Sequence, residues 1–328
     1  MPDLLLDTLP RVPLTHAPTP LHPLDRLRDL LGGPTRIPRL LIKHDDLNGI
    51  ALGGNKLRKL EFLLGDARAQ GCDTLITAGA AQSNHARLTA AVGAIHGLET
   101  HLCLRGPEPE HHTGNLILDD WLGAHLHFAA PGTNVSDLMP VVAEELTAQG
   151  RKPYLIPIGG SNAVGSVGYT WAVARELVEQ TTDIDHLVVA VGSGGTMAGL
   201  EIGVRAAGLQ TKVQGVGVAE PDTTAWNVDV SNLANAVAER IGLSVTLTPK
   251  DIACPMDWMG PHYAAPTQAC EDAIRLLART EGIFLDPVYS GKAFAALLDW
   301  LRVGRFSPSE TVVFWHTGGT PALFATGH

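Results

Sequence analysis

The apolar residues of this chain fall into two spacings that alternate along its length. Short continuous runs read as buried strands: TLITAG (74–79), THLCLR (100–105), HLHFAA (125–130), PYLIPI (153–158) and HLVVAVG (186–192). Between them, residues 84–96, 115–122, 135–149, 169–179 and 197–207 carry the three-to-four spacing of helices. KVQGVGVAE (212–220) reads as a further strand, and 223–240, 267–280 and 292–301 as helices. TVVFWHTGG (311–319) is a last strand that runs into a glycine turn. Toward the front, RLLIK (39–43) reads as a strand, preceded by a proline-rich, extended arm, 1–38, and a glycine-rich turn is expected over 159–168.

Strands and helices in this alternation predict an α/β fold with two open, mostly parallel sheets. The expected division is a smaller α/β domain at 54–166 and a larger one joining 1–53 to 167–328. The composition leaves this reading in place and narrows the partners. A formal charge of −10 without a basic stripe argues against nucleic acid. The opening MPDLLLDTLPRVPL has neither a signal-like nor a membrane-spanning apolar run. Cys72, Cys103, Cys254 and Cys270 are scattered without a CxxC pair, so a cytoplasmic location is expected.

Three stretches carry candidate chemistry. In LGGNKLRKLE (52–61), two glycines and an asparagine lead into a helix with Lys56 in its first turn. The helix dipole is positive there, so a lysine is disfavoured, and a flexible glycine lead would leave it free to react. The alternative is a solvated loop-end lysine. In GSGGT (192–196), glycines follow a buried strand and open a helix, the arrangement that offers free backbone N–H groups to a phosphate. It is neither a P-loop nor a dinucleotide fingerprint. In AAQSNHAR (80–87), Gln82, Ser83, Asn84 and His85 follow a strand at the end where open α/β sheets bind ligands. Ser83 would also serve as a plain helix cap.

DPVYSGK (286–292) and HTGGT (316–320) add Tyr289 and Thr317 near the chain end. His125 and His127 alternate on one strand face with no evident carboxylate or cysteine partner, so no metal is expected. Glu176 and Glu179 read as surface charge, and His111–His112 as a solvated pair.

A lysine, a distant phosphate cup and an amide-hydroxyl loop together suit pyridoxal phosphate. GGNKLRKLE, AAQSNHAR, GSGGTMAG, DPVYSGK and HTGGTP, in this order, resemble the D-cysteine desulfhydrase and 1-aminocyclopropane-1-carboxylate deaminase family. These are fold-type II pyridoxal-phosphate enzymes with the architecture of the tryptophan synthase β subunit. The resemblance implies that Lys56 holds the cofactor as a Schiff base and Lys59 approaches its phosphate. Ser193, Gly194, Gly195 and Thr196 would cradle that phosphate, Asn84 would bond the ring hydroxyl, and Thr317 would face the pyridine nitrogen. Ser83 and Gln82, with Asn84 beside them, would receive the substrate carboxylate, with Tyr263 and Tyr289 near the substrate. Lys56 or Tyr289 would take the α-proton.

One departure bears on the substrate. The deaminases carry a glutamate directly after the tyrosine matching Tyr289, where this chain has Ser290. A hydroxyl cannot hold the pyridine nitrogen protonated as an acid does, which favours elimination from a good leaving group over ring opening. The resemblance then implies cleavage of D-cysteine to sulfide, pyruvate and ammonia. Deamination of the cyclopropane amino acid or a sulfo-lyase acting on L-cysteate would be the alternatives on the same scaffold. It also implies a homodimer. A non-catalytic phosphometabolite-binding protein is the reading from a different class.

Overall fold

The computed structural model describes residues 4–130, 132–219 and 223–325. Among these, strands β1 (Leu21–Pro23), β2 (Arg39–His44), β7 (His186–Val191), β8 (Lys212–Gly217) and β9 (Thr311–His316) form one sheet in the order β1-β2-β9-β7-β8. Strands β3 (Thr74–Ala80), β4 (Glu99–Arg105), β5 (His125–Phe128) and β6 (Pro153–Ile156) form the other, in the order β5-β4-β3-β6. All pairs are parallel except β1 with β2.

The helices are α1 (Asp25–Leu30), α2 (Lys56–Ala69), α3 (Asn84–His96), α4 (Asn115–Trp121), α5 (Val135–Ala148) and α6 (Ala163–Trp171). A π-helical stretch, Ala172–Leu177, carries α6 on into α7 (Val178–Gln180). Then follow α8 (Gly195–Ala206), α9 (Thr223–Ile241), α10 (Gln268–Glu281) and α11 (Ser290–Arg302).

The continuous apolar runs make sense in the larger sheet, which is covered on both faces. Leu187, Val189 and Val191 of β7 join Val313 and Trp315 of β9 in one core. Val188, Ala190, Val312 and Phe314 alternate into the core on the opposite face. Helix α2 belongs to both sheets: Phe62 enters the first of these cores, while Leu57, Leu60, Leu63 and Leu64 pack on Leu75 of β3 and Val92 of α3. Close contact of α2, α6 and α8 depends on small residues. A Cβ on Gly168 would come within 2.0 Å of the Arg58 carbonyl oxygen, and one on Gly199 within 2.3 Å of the Ser166 carbonyl oxygen.

Four local expectations are corrected. The proline-rich arm is not wholly extended, since it contributes β1 and α1. The glycine-rich segment 159–168 is a turn only at its start, because helix α6 begins at Ala163 with Asn162 as its cap. The strand expected over 212–220 ends at Gly217, and residue 220 lies outside the described residues. Glu176 is not surface charge but is 3% exposed. Its Oε2 accepts from Arg58 NH1 at 2.8 Å and its Oε1 from Lys43 Nζ at 2.5 Å.

Arg58 also donates from Nε to Asp45 Oδ1 at 2.9 Å and from NH2 to Thr19 Oγ1 at 2.9 Å. Asp45 in turn accepts from Trp315 Nε1 at 2.8 Å and from the Tyr169 hydroxyl. A sequence cannot show such partners, because they come from five separate segments.

Burial by itself would raise the pKa of Glu176, but Arg58 and Lys43 hold it at about 2. That value lies below the ~4.3 of an unfolded glutamate, so the contribution is complete above that pH and is lost as pH falls toward 2. Glu176→Ala is expected to cost ~3–5 kcal/mol, because buried Lys43 loses its ion-pair partner and buried Arg58 one of two. The measurement is the shift in urea midpoint at pH 7, which should shrink between pH 4.5 and 2.

Candidate active site

A cavity of about 370 Å³ lies where the carboxyl ends of strands from both sheets meet. Gly79 and Ala80 follow from β3, Arg105 from β4, Val191 and Gly192 from β7, and Thr317 and Gly318 from β9. This is the crevice in which open α/β sheets take ligands.

Lys56 lines this cavity as the first residue of α2. The lead before it is pinned rather than flexible, which corrects the sequence expectation. Gly54 N donates to the Asp45 carbonyl at 2.8 Å, Asn55 N to the Thr317 carbonyl at 3.0 Å, and Arg87 NH2 to the Gly53 carbonyl at 2.7 Å. The glycines serve geometry: Gly53 has φ +65°, and a Cβ there would sit 2.0 Å from the Asp46 carbonyl oxygen. Burial lowers the pKa of Lys56 to about 8, partly opposed by the carboxylate of Asp286.

Lys59 lies one turn further along the same helix. Its Nζ donates to the Gly159 carbonyl at 3.1 Å and to Ser161 Oγ at 3.0 Å. Burial first, and then the charge of Lys56, hold it well below the usual lysine range. Ser161 Oγ also contacts Ser193 Oγ at 2.7 Å and accepts from Gly195 N at 3.2 Å. Asn55 Nδ2 donates to Thr196 Oγ1 at 3.0 Å.

Ser193, Gly194 and Thr196 line the cavity, whereas Gly195 lies just behind them, where a Cβ would fall 2.7 Å from Lys59 Nζ. Gly194 has φ +80°, and a Cβ there would be 2.4 Å from the Trp226 ring. The result is a shallow cup of hydroxyls and backbone at the positive end of α8, with an amine beside it. Its donor chemistry fits an anionic phosphate, and the lysine across the cavity fits an aldehyde.

Ser83 and Asn84 line the cavity at the start of α3. The cap reading of Ser83 holds, since its Oγ accepts from Ala86 N at 3.2 Å. Gln82 departs from expectation and is not part of the cavity wall. Its amide is used to hold the next loop, with Nε2 donating to the Thr113 carbonyl at 2.9 Å and Oε1 accepting from Asn115 N at 2.8 Å.

Tyr263 and Tyr289 line the same cavity and meet hydroxyl to hydroxyl at 2.5 Å. Burial, above all, raises the pKa of both phenols. Ser290 does not reach the cavity: its Oγ donates to Asp286 Oδ1 at 2.6 Å, inside the turn that presents Tyr289.

The sequence reading passed over several residues of this wall. Asn55 stood inside a motif already noted, so a count of polar groups within that motif would have found it, and Ser161, behind the wall, follows the strand run 153–158. Arg105, Trp226 and Asp229 had no local signal, because tertiary packing alone brings them in. His85, named in its motif but given no role, is buried with Nδ1 lacking a protein partner, while Nε2 faces Thr77 Oγ1 at 2.9 Å.

Comparison with known proteins agrees with this chemistry. The chain is 42% identical over 334 residues to a D-cysteine desulfhydrase of Salmonella typhi, covering 99% of this chain and 98% of that protein. The enzyme of the same name from Salmonella choleraesuis matches equally, with 42% identity over the same shares of both chains. A crystal structure described as an ACC deaminase homologue superposes with a TM-score of 0.89 at 37% identity, covering 98% of this chain and 95% of that one. A pyridoxal 5'-phosphate-dependent aspartate racemase shares the fold alone, with a TM-score of 0.67 at 15% identity, over 92% of this chain and 90% of that one. The family model described as "Pyridoxal-phosphate dependent enzyme" matches residues 12–318, a span that includes Lys56, the cup and both tyrosines. The chain therefore belongs to the pyridoxal-phosphate dependent enzyme family, with the fold-type II α/β architecture and the cofactor that its cavity fits.

Proposed function

We propose that this protein converts D-cysteine and water to hydrogen sulfide, pyruvate and ammonia, with Lys56 as the covalent anchor of pyridoxal phosphate. The observation that carries this reading is the placement of Lys56, amine lowered to about pKa 8, in one cavity with a phosphate-type cup contributed from residues 161–196. The substrate follows from full-length similarity to enzymes named D-cysteine desulfhydrase.

Ser193, Gly194 and Thr196, with Lys59 and Ser161 behind them, would hold the phosphate, and Gly195 would give it room. Asn84 and Thr317 would meet the ring. Ser83 and Asn84 at the amino end of α3 would receive the substrate carboxylate, since helix starts favour anions. Bound pyridoxal phosphate supplies an electron sink for the charge that develops at the substrate α-carbon.

The chain's own groups then divide the proton work. An amine with a pKa near 8 is matched to accepting a proton near neutral pH, so Lys56 takes the α-proton. Tyr289, its phenol held protonated by burial, donates to the departing sulfur, and Tyr263 fixes its orientation.

Deamination of the cyclopropane amino acid is the second reading, favoured by the close superposition on the ACC deaminase homologue. Ser290, bonded to Asp286 and away from the cavity, offers that reaction no acid. The proposal extends to units of 54–166 and of 1–53 with 167–328, and to a homodimer in the cytoplasm. Supporting the dimer, Leu47, Leu52 and Phe324, exposed by 53%, 60% and 76%, border one surface depression. No helix among the described residues is long and apolar enough to cross a membrane. Light scattering should return twice the chain mass; a monomer removes the dimer.

D-cysteine is expected to yield pyruvate with the purified holoenzyme, whereas 2-oxobutanoate from the cyclopropane amino acid would select the second reading. Lys56→Ala should abolish turnover and the borohydride-reducible yellow colour. Tyr289→Phe should keep the colour and lower kcat by ~10²-fold or more. The rate at which apoprotein regains colour from added pyridoxal phosphate should rise about tenfold per pH unit below 8 and level off above it, since only the neutral amine attacks an aldehyde.

A further inference from the structure

We propose that Glu99, His101 and His125 form a site for a divalent cation of the zinc type on the smaller sheet, remote from the cofactor cavity. Glu99 and His101 stand two residues apart on β4 and therefore share a face, and His125 of β5 is the register partner of His101. One ligand atom from each lies within 4.8 Å of the other two. Glu99 Oε1 is 3.0 Å from His101 Nε2 and 3.5 Å from His125 Nε2. A tetrahedral ion with bonds of ~2.0–2.2 Å needs donors ~3.3 Å apart, so these separations straddle the requirement. The carboxylate answers the objection raised from sequence, where no acidic partner for the strand histidines was evident.

The surrounding groups suit ligation. His101 Nδ1 lies 2.9 Å from His127 Nε2, so the second ring nitrogen has the outer partner that fixes a metal-binding tautomer. Arg151 NH2 holds Glu99 Oε2 at 2.6 Å and leaves Oε1 to face the two imidazoles. The rings of His101 and His125 stack at 4.6 Å.

With Arg151 offsetting the carboxylate charge, the imidazoles supply most of the affinity. That selects a borderline ion such as zinc over magnesium or calcium. His125 is 57% exposed, which leaves an entry path and a free position for water. The ion would clamp the four-residue edge strand β5 to its neighbour.

The test is calorimetric titration of the full-length, cofactor-loaded protein with zinc chloride, without substrate, because sulfide would precipitate the metal. One saturable equivalent per chain is expected. It should vanish in His125→Ala and weaken at least about tenfold in Glu99→Gln. Both variants should keep the far-ultraviolet spectrum and yellow colour of the parent, since His125 and Glu99 lie at the surface. X-ray absorption of the loaded protein should show two imidazoles and oxygen at ~2.0–2.2 Å. Absence of saturable binding, or binding unchanged in His125→Ala, overturns the proposal.

Discussion

The guanidinium of Arg58 is the constraint on which the rest of the structure depends. It lies between Lys56 and Lys59 on α2, and it is buried against Asp45 and Glu176. Asp45 follows β2 of the larger sheet and Glu176 sits in the π-helical stretch after α6, so one side chain orients α2 against both. A buried ion pair contributes little net stability, but any rotation of α2 would strand uncompensated charge. That restriction aims two lysines, one turn apart, into the same cavity.

Within the cavity the two lysines of α2 are held in different places. Lys59 is met by the Gly159 carbonyl and Ser161 Oγ, which place its amine beside the cup at the start of α8. Lys56 Nζ donates to Asn55 Oδ1 at 3.2 Å, and burial lowers its pKa to about 8 against the opposing charge of Asp286. Position rather than proton affinity distinguishes them: one amine lies beside the cup and the other lines the cavity from the first residue of α2. The same cavity carries two phenols that burial holds protonated.

Long-range assembly also explains where motif reading went astray. Gln82 had the right neighbours in sequence, but the helix start at Ser83 turns its amide toward the 113–115 loop. Glu176 had no partner within its own helix, and its counter-charges arrive from residues 43 and 58. The histidines of β5 gained a carboxylate only because β4 pairs with β5 in register.

The alternation of apolar spacing determined by itself that the chain makes parallel sheets covered by helices, because burial on both faces leaves no other pattern for such strands. The glycines ahead of Lys56 and at 192–195 were legible for the same local reason: left-handed backbone and close approach admit little else. What only the tertiary structure decided was which polar groups share a space. The charge of Asp286 acting on Lys56, Ser161 beneath the cup, Arg105 and Trp226 on the wall, and Glu99 between two histidines all span chain separations that no local spacing encodes. Their positions follow from how helices and sheets pack, and packing is settled by the whole core rather than by any one stretch of residues.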